Sequence, residues 1–550
     1  MSDAALVQRL TFTFVGRDQP SLIDVSCRLP QASWTLVTGR TGSGKSTFLR
    51  ALAGLIPHHS TGVMRGSVRL FGQDTATARP AQLARQVGLV LQSPDEQLCA
   101  TTVEAEVAFG LENLATPVAE IGPRIAECLE RMGLAGFERR ATRQLSGGQK
   151  QRLLLASILA MRPRMLLLDE PLSQLDPQAA AELLCELDGL RATGMAIVLA
   201  EHRLDDVLPL ADRVLVFDGG RLAEDLDPRR VPELAEGFAR HGLETPEITR
   251  LALRLGLLPE ESVPQWAARF VAEEGSVAPI AAESVGSSTP LLAVRDLTFR
   301  YPESPTTVWQ DVSFVLAAGE RVALVGANGS GKSTLLSLLA GLLSASSGNI
   351  EWDPGPIRSS TKPPPKSGLL FQNPDLMLFC RTVREELAFG NAGQQAIEPL
   401  AAELSLTDLL DEPPLALSQG QRLRVAVAAV LAQAPRLLLL DEPTTAQDRR
   451  QLSVMMELLS RAAREQRGIE GLLFSTHDVS MVAQHADRVL VLGEGKLLAD
   501  VSPVELLRND ALIAAAGLRR PPLYELRQRL GLAGLSFEQI AAELAGKLKA

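Results

Sequence analysis

Two stretches of the chain are apolar without a break, Met165 to Leu168 and Leu437 to Leu440. Runs of strand length that lack apolar/polar alternation predict central strands of a sheet covered on both faces. Both lead straight into an acidic pair, Asp169-Glu170 and Asp441-Glu442. Further apolar strands are predicted at Trp34 to Val37 and Ala196 to Ala200 in the first half, and at Val322 to Val325 and Leu472 to Thr476 in the second. Thr47 to Ala53 predicts a helix that Gly54 ends, and other helices are expected from Lys150 and from Thr334. Glu273 to Pro290, rich in Ser, Ala, Gly and Pro with little periodicity, reads as a linker, and Pro-rich Asp353 to Lys366 as a trimmed loop.

The pattern is written twice. Leu10-Thr11-Phe12 returns as Leu297-Thr298-Phe299, and Asp24-Val25-Ser26 as Asp311-Val312-Ser313. Gln92-Ser93-Pro94-Asp95 returns as Gln372-Asn373-Pro374-Asp375, by which point the second copy has lost residues in its loops. Arg254-Leu255-Gly256-Leu257 recurs as Arg529-Leu530-Gly531-Leu532, so each half is expected to end in its own helical tail.

Between the first strand and first helix of each half lies a glycine-rich loop. Gly39-Arg40-Thr41-Gly42-Ser43-Gly44-Lys45-Ser46, followed by Thr47, matches Gly326-Ala327-Asn328-Gly329-Ser330-Gly331-Lys332-Ser333, followed by Thr334. Both fit the phosphate-binding pattern of a glycine, four residues, then Gly-Lys-Ser. Small residues let backbone N–H groups close around phosphates, whose charge the helix N-terminus also favours. Lys45 and Lys332 are expected to reach the β/γ-phosphates of ATP, and Ser46 and Ser333 to ligate Mg²⁺. At the strand ends, Asp169 and Asp441 are expected to hold Mg²⁺, while Glu170 and Glu442 polarise the attacking water.

Leu145-Ser146-Gly147-Gly148-Gln149, followed by a helix and then the carboxylate strand, resembles the signature of ATP-binding cassette (ABC) ATPases. The resemblance covers nearly the whole chain, twice. It implies an α/β fold of two P-loop ABC-type nucleotide-binding domains, each with an antiparallel β subdomain, a helical subdomain and a short helical C-terminal tail. The expected divisions are 1–240 and 291–515 for the cassettes, 241–272 and 516–550 for their tails, and 273–290 for the linker. It makes Gln92 and Gln372 Q-loop glutamines near the metal, His202 and His477 switch histidines at the γ-phosphate, and Phe14 and Tyr301 the adenine-stacking rings. A core aromatic is nearly as good a reading of Phe14. His58-His59, with no further ligand at useful spacing, reads as a loop pair rather than a metal site.

Family members join their halves head to tail, so that each ATP lies between one phosphate loop and the opposite signature. Ser146, Gly147, Gly148 and Gln149 would then face the Lys332 nucleotide, and Ser418, Gln419, Gly420 and Gln421 the Lys45 nucleotide. Gln419 stands where the first copy has a glycine, and Thr445-Ala446-Gln447-Asp448 replaces Ser173-Gln174-Leu175-Asp176. The Lys45 site is therefore expected to be the slower one.

The wording after each Q-loop, Thr102-Val103-Glu104-Ala105-Glu106-Val107-Ala108-Phe109-Gly110 and Thr382-Val383-Arg384-Glu385-Glu386-Leu387-Ala388-Phe389-Gly390, resembles the ATPases of energy-coupling factor (ECF) transporters. These import vitamins, vitamin precursors, or cobalt and nickel ions. The resemblance implies two partners, a transmembrane coupling protein docking near the Q-loop and a separate membrane substrate-binding protein, with this chain peripheral on the cytoplasmic face of the cell membrane. The acidic residues after each Q-loop are candidates for that docking by pairing with basic residues on the partner, although any single one reads better as part of an ordinary solvated helix face. The alternative is a soluble tandem ABC protein acting on ribosomes or DNA, but the linker is short and low in charge, and no cysteine cluster is present.

Composition narrows this further. The 550 residues exceed one ordinary domain, and a net charge of −10 argues against bare nucleic acid or an anionic lipid surface as the main partner. The five scattered cysteines suggest neither a zinc site nor a disulfide framework. The N-terminus lacks the pattern of a signal peptide, and no apolar run approaches the ~20 residues that span a bilayer, so no direct membrane insertion is expected.

Overall fold

The computed structural model describes residues 3–173, 175, 177–246, 249–250, 289–302, 307–353, 367–389, 397–443, 455–456, 459, 469–520 and 524. The chain divides into two compact units, each described by itself.

The first unit contains strands β1 (Asp3–Phe14), β2 (Leu22–Pro30), β3 (Trp34–Gly39), β4 (Gly62–Leu70), β5 (Gln73–Asp74), β6 (Val87–Val90), β7 (Met165–Asp169), β8 (Ala196–Ala200), β9 (Arg213–Asp218) and β10 (Arg221–Leu226). Six form a sheet in the order β10-β9-β3-β8-β7-β6. Its pairings are parallel from β6 through β9, and β10 closes one edge antiparallel. Every residue of β3, β7 and β8 is buried, as their unbroken apolar runs require. Trp34 and Leu36 enter one core and Val37 a second core, shared with Phe48 and Leu49, so both faces of the sheet are covered. Parallel strands deliver their C-terminal ends to one edge, where ligands of such sheets bind. The phosphate loop after β3, Glu170 after β7 and His202 after β8 therefore emerge together.

A second sheet, β2-β1-β4-β5, is antiparallel. The helices α1 (Lys45–Leu52), α2 (Val103–Asn113), α3 (Val118–Arg131) and α4 (Gly147–Ala160) complete the parts that frame the site. Helix α1 starts two residues before the expected Thr47 and ends as expected, with Gly54 at a φ of 73 after the cap Ala53. Helix α4 starts three residues before the expected Lys150. Ser146 Oγ accepts from Gln149 N at 3.3 Å while Gln149 Oε1 accepts from Ser146 N at 3.0 Å, a reciprocal cap that draws Gly147 and Gly148 into the first turn.

The second unit repeats the plan with β11 (Pro290–Arg300), β12 (Thr307–Ala317), β13 (Arg321–Val325), β14 (Ser347–Trp352), β15 (Ser367–Leu370), β16 (Leu437–Leu440), β17 (Gly471–Ser475), β18 (Arg488–Gly493) and β19 (Lys496–Val501). Their sheets run β15-β16-β17-β13-β18-β19 and β12-β11-β14. The helices α5 (Lys332–Leu339), α6 (Val383–Ala388) and α7 (Gln419–Ala432) answer to α1, α2 and α4. Ser418 and Gln421 form the same reciprocal cap at the start of α7. The expected linker up to residue 288 and most of both expected tails lie outside the described residues, and Pro290, placed at the linker's end, is instead the first residue of β11.

Candidate nucleotide site

Gly39 and Gly326 open the two phosphate loops where backbones meet closely. A Cβ on Gly39 would fall 2.2 Å from Phe217 O, and one on Gly326 2.6 Å from Leu492 O, so both positions exclude any side chain. Lys45 Nζ donates to Gly39 O at 2.8 Å and Arg40 O at 3.1 Å. Lys332 Nζ repeats this with Gly326 O at 2.8 Å and Ala327 O at 3.2 Å. Both lysines are buried beneath their loops, while Arg40, Thr41 and Gly42 stand exposed at the rim of the first and Asn328 and Gly329 at that of the second. Gly44 and Gly331 hold left-handed conformations at the caps of α1 and α5, with Thr47 and Thr334 half-buried in the first turns.

Ser43 Oγ and Ser330 Oγ are buried inside their loops with no hydrogen-bond partner. A buried hydroxyl left unsatisfied is costly. Two such groups at matching positions beside a buried lysine fit a ligand that brings acceptor oxygens, as a phosphate does. Ser46 hydrogen-bonds Asp169, and Ser333 hydrogen-bonds Asp441, so each pair of expected metal ligands is already together. One hydroxyl and one carboxylate oxygen suit Mg²⁺, which is bound through few protein ligands alongside phosphates.

The neighbouring carboxyls are pushed in opposite directions. Burial raises Asp169 from its ordinary 3.8 to about 6, against the lowering pull of Ser46 and Lys45. Burial raises Asp441 likewise. For Glu170, burial acts upward, but His202 and Lys45 outweigh it and leave the carboxyl below its usual range. His477 and Lys332 do the same for buried Glu442. Splitting two adjacent acids in this way suits them to different work, the ionised glutamate to orienting water and the aspartate to a cation.

Because its folded pKa is raised, Asp169 contributes stability that is full below 3.8 and lost as pH rises through about 6. In nucleotide-free protein, Asp169→Asn is therefore expected to raise stability at pH 7.5 by roughly 1–3 kcal/mol, a gain that shrinks as pH falls from 6 toward 4. Thermal unfolding at several pH values checks this; a variant no more stable than the parent at pH 7.5 contradicts it.

Glu170 and Glu442 also sit at positive φ, 48 and 43, a conformation side-chain-bearing residues rarely adopt. Glu170 N donates to Ala200 O at 2.9 Å, and Glu442 N to Ser475 Oγ at 2.8 Å. These bonds hold the strained turns, a kind of strain that collects at functional sites.

The Q-loop and switch residues converge on these glutamates. Gln92 Nε2 donates to Glu170 Oε2 at 2.7 Å, and His202 Nε2 lies 3.1 Å from Glu170 Oε1. In the second unit Gln372 Nε2 donates to Glu442 Oε2 at 3.4 Å, His477 Nδ1 stands 3.5 Å from Glu442 Oε2, and Lys332 Nζ 3.7 Å from Glu442 Oε1. The second set is the looser. Phe14 packs edge-on against Phe12 at 4.8 Å and Tyr301 against Phe299 at 4.9 Å, so the two rings occupy matching places. Tyr301 OH lies 3.2 Å from Thr334 Oγ1, next to the phosphate loop. His58 pairs through Nε2 with Thr75 O.

Part of the expected docking surface has other duties. Asp95 pairs with Lys150 at 2.5 Å and Asp375 with Arg422 at 2.6 Å, tying each Q-loop to the start of its own unit's signature helix. Glu106 and Glu386 are buried. Glu106 Oε2 accepts from Cys99 N at 3.0 Å and Ala100 N at 2.6 Å; Glu386 Oε2 accepts from Phe379 N at 2.9 Å and Cys380 N at 2.8 Å. These two carboxylates hold the loop behind the Q-loop and cannot also meet a partner. Glu201, which the sequence reading passed over, is buried beside His202; burial, then the Glu170 charge, push its carboxyl upward.

The family model described as ABC transporter matches residues 22–173 and 309–445. A putative ABC transporter ATP-binding protein of Methanosarcina mazei is 38% identical across 97% of this chain and 95% of its own length. The putative HMP/thiamine import ATP-binding protein YkoD of Bacillus subtilis is 35% identical over 94% of this chain and 95% of its own. The solved structure of cbiO1 from Clostridium perfringens, titled as part of the ABC transporter complex cbiONQ, aligns with 28% identity and a TM-score of 0.39 over 46% of this chain and 99% of that one. By family match and by full-length relatives, this chain belongs to the ABC transporter ATP-binding proteins, as an ATP-hydrolysing subunit with two cassettes.

Proposed function

We propose that the chain energises an ECF-type importer of a micronutrient, cleaving ATP on the cytoplasmic face of the membrane and working through a separate transmembrane coupling protein. A second membrane protein binds the substrate. The relative named for HMP/thiamine import, alike over nearly the full length, is the observation that carries this reading. The exposed apolar residues beside the Q-loops support it: Leu376, Phe379 and Phe389 in the second unit and Phe109 in the first are all more than half exposed. Phe379 and Phe389 stack edge to face at 4.7 Å, a ready anchor for helices of a membrane protein. Among the described residues no helix is long and apolar enough to cross a membrane.

In this reading Lys45 and Lys332 hold the β/γ-phosphates, Glu170 and Glu442 orient the attacking water, and His202 and His477 steady the γ-phosphate. Ser46 with Asp169, and Ser333 with Asp441, would hold Mg²⁺, which supplies neutralisation of the phosphate charge. Affinity capture of the chain from detergent-solubilised membranes tests the transport reading. A polytopic membrane protein is expected to co-purify; a ribosome-bound fraction without one contradicts it.

A further inference from the structure

The flanks of His202 differ from those of its counterpart in the second unit: Glu201 and Arg203 stand where that unit has Thr476 and Asp478. Glu201 is only 3% exposed. Its Oε1 accepts from His202 N at 2.8 Å and Arg203 N at 3.2 Å, and its Oε2 from Leu172 N at 3.3 Å. Arg203 NH1 donates to Leu172 O and Leu175 O, both at 3.2 Å, while Asp206 holds the other side of the guanidinium. Leu172 lies two residues past Glu170, and the His202 ring contacts Glu170 directly. One carboxylate thus anchors the backbone at both ends of the His202–Glu170 contact, and the arginine doubles the tie. In the second unit Thr476 Oγ1 instead accepts from Asp478 N at 3.0 Å, and Asp478 accepts from Ser480 N at 2.8 Å to cap the helix Val479–His485.

We infer that Glu201 and Arg203 are positioning residues for ATP cleavage at the Lys45 site, strapping the turn after Glu170 to the segment that carries His202 so that the two groups move as one. At the matching positions the second unit carries neither a glutamate nor an arginine, so this pairing of side chains belongs to the Lys45 site. A buried carboxylate is dear to desolvate and is a poor choice for stability alone. Its three backbone donors satisfy it only while the turn and the switch segment stay in register.

The inference rests on the reading that Lys45, Glu170 and His202 act on ATP, and the experiment separates the two. In full-length Glu442→Gln protein, where the second site is silenced, single-turnover phosphate release is measured with enzyme in excess over labelled ATP. Glu201→Gln and Arg203→Ala are each expected to slow release by between about tenfold and a hundredfold, the range for a small misplacement near reacting groups. The enzyme concentration for half-saturation should stay within about twofold, since no phosphate contact is removed. Arg203→Lys, which can still reach both carbonyls, should recover much of the rate. Unchanged release in both variants, with only the unfolding temperature lowered, overturns the inference. If Lys45→Ala in the same background leaves release intact, the reading of the site itself fails, and the inference with it.

Discussion

Glu442→Gln is expected to cut steady-state ATP turnover by about a hundredfold or more, the usual weight of a positioned group that handles the water proton. Glu170→Gln should leave most of the turnover in place. The difference has two sources. If the halves pair head to tail, as the family resemblance implies, Gln419, in place of a glycine, would face the Lys45 nucleotide, and Ser146-Gly147-Gly148 the Lys332 nucleotide. Within the first unit, Glu170 is held at 2.7 Å by Gln92 and 3.1 Å by His202, contacts that take up part of the carboxylate's capacity to accept from water. In the second unit the corresponding distances to Glu442 are 3.4 and 3.5 Å. Steady-state phosphate release from the two variants decides the matter, and equal losses would remove the asymmetry from the account.

The second large effect is expected from the lysines. Replacing Lys45 and Lys332 together by alanine should abolish ATP turnover and ATP-driven uptake, a fall on the order of a hundredfold to a thousandfold for loss of a charged donor at phosphate. Each lysine is buried under its loop and already aligned by two carbonyls, so it would meet phosphates without first being ordered. Substrate affinity in the separate binding subunit should not change. Uptake assays with and without ATP, beside substrate binding to that subunit alone, check both statements; uptake that persists in the double variant would contradict the proposed coupling.

Much of this was legible in the sequence because it is local. Loop glycines, lysine and hydroxyl occur in one run, and the strand before Asp169 is apolar without interruption. The duplication gave each motif a second witness. What stayed hidden was set by contacts between distant segments. The start of α4 at Gly147 was within reach, since Ser146 and Gln149 carry the spacing of a reciprocal cap, but the paired glycines masked it. Glu106 and Glu386 read as solvated charges because only the folded chain shows the backbone N–H groups of the preceding loop aimed at them. Glu201 was lost for the same reason, its partner Leu172 lying 29 positions away, past the end of the neighbouring strand β7. The positive φ of Glu170 and Glu442 leaves no mark on residue type at all.

The central claim is that one polypeptide carries two working nucleotide sites. Equilibrium binding of ATP with Mg²⁺ to the Glu170→Gln/Glu442→Gln protein, in which cleavage is blocked, tests it most directly. The account predicts two nucleotides per chain, falling to one when either Lys45 or Lys332 is also replaced by alanine. A single nucleotide per chain, or a stoichiometry that ignores one of the lysines, would contradict it.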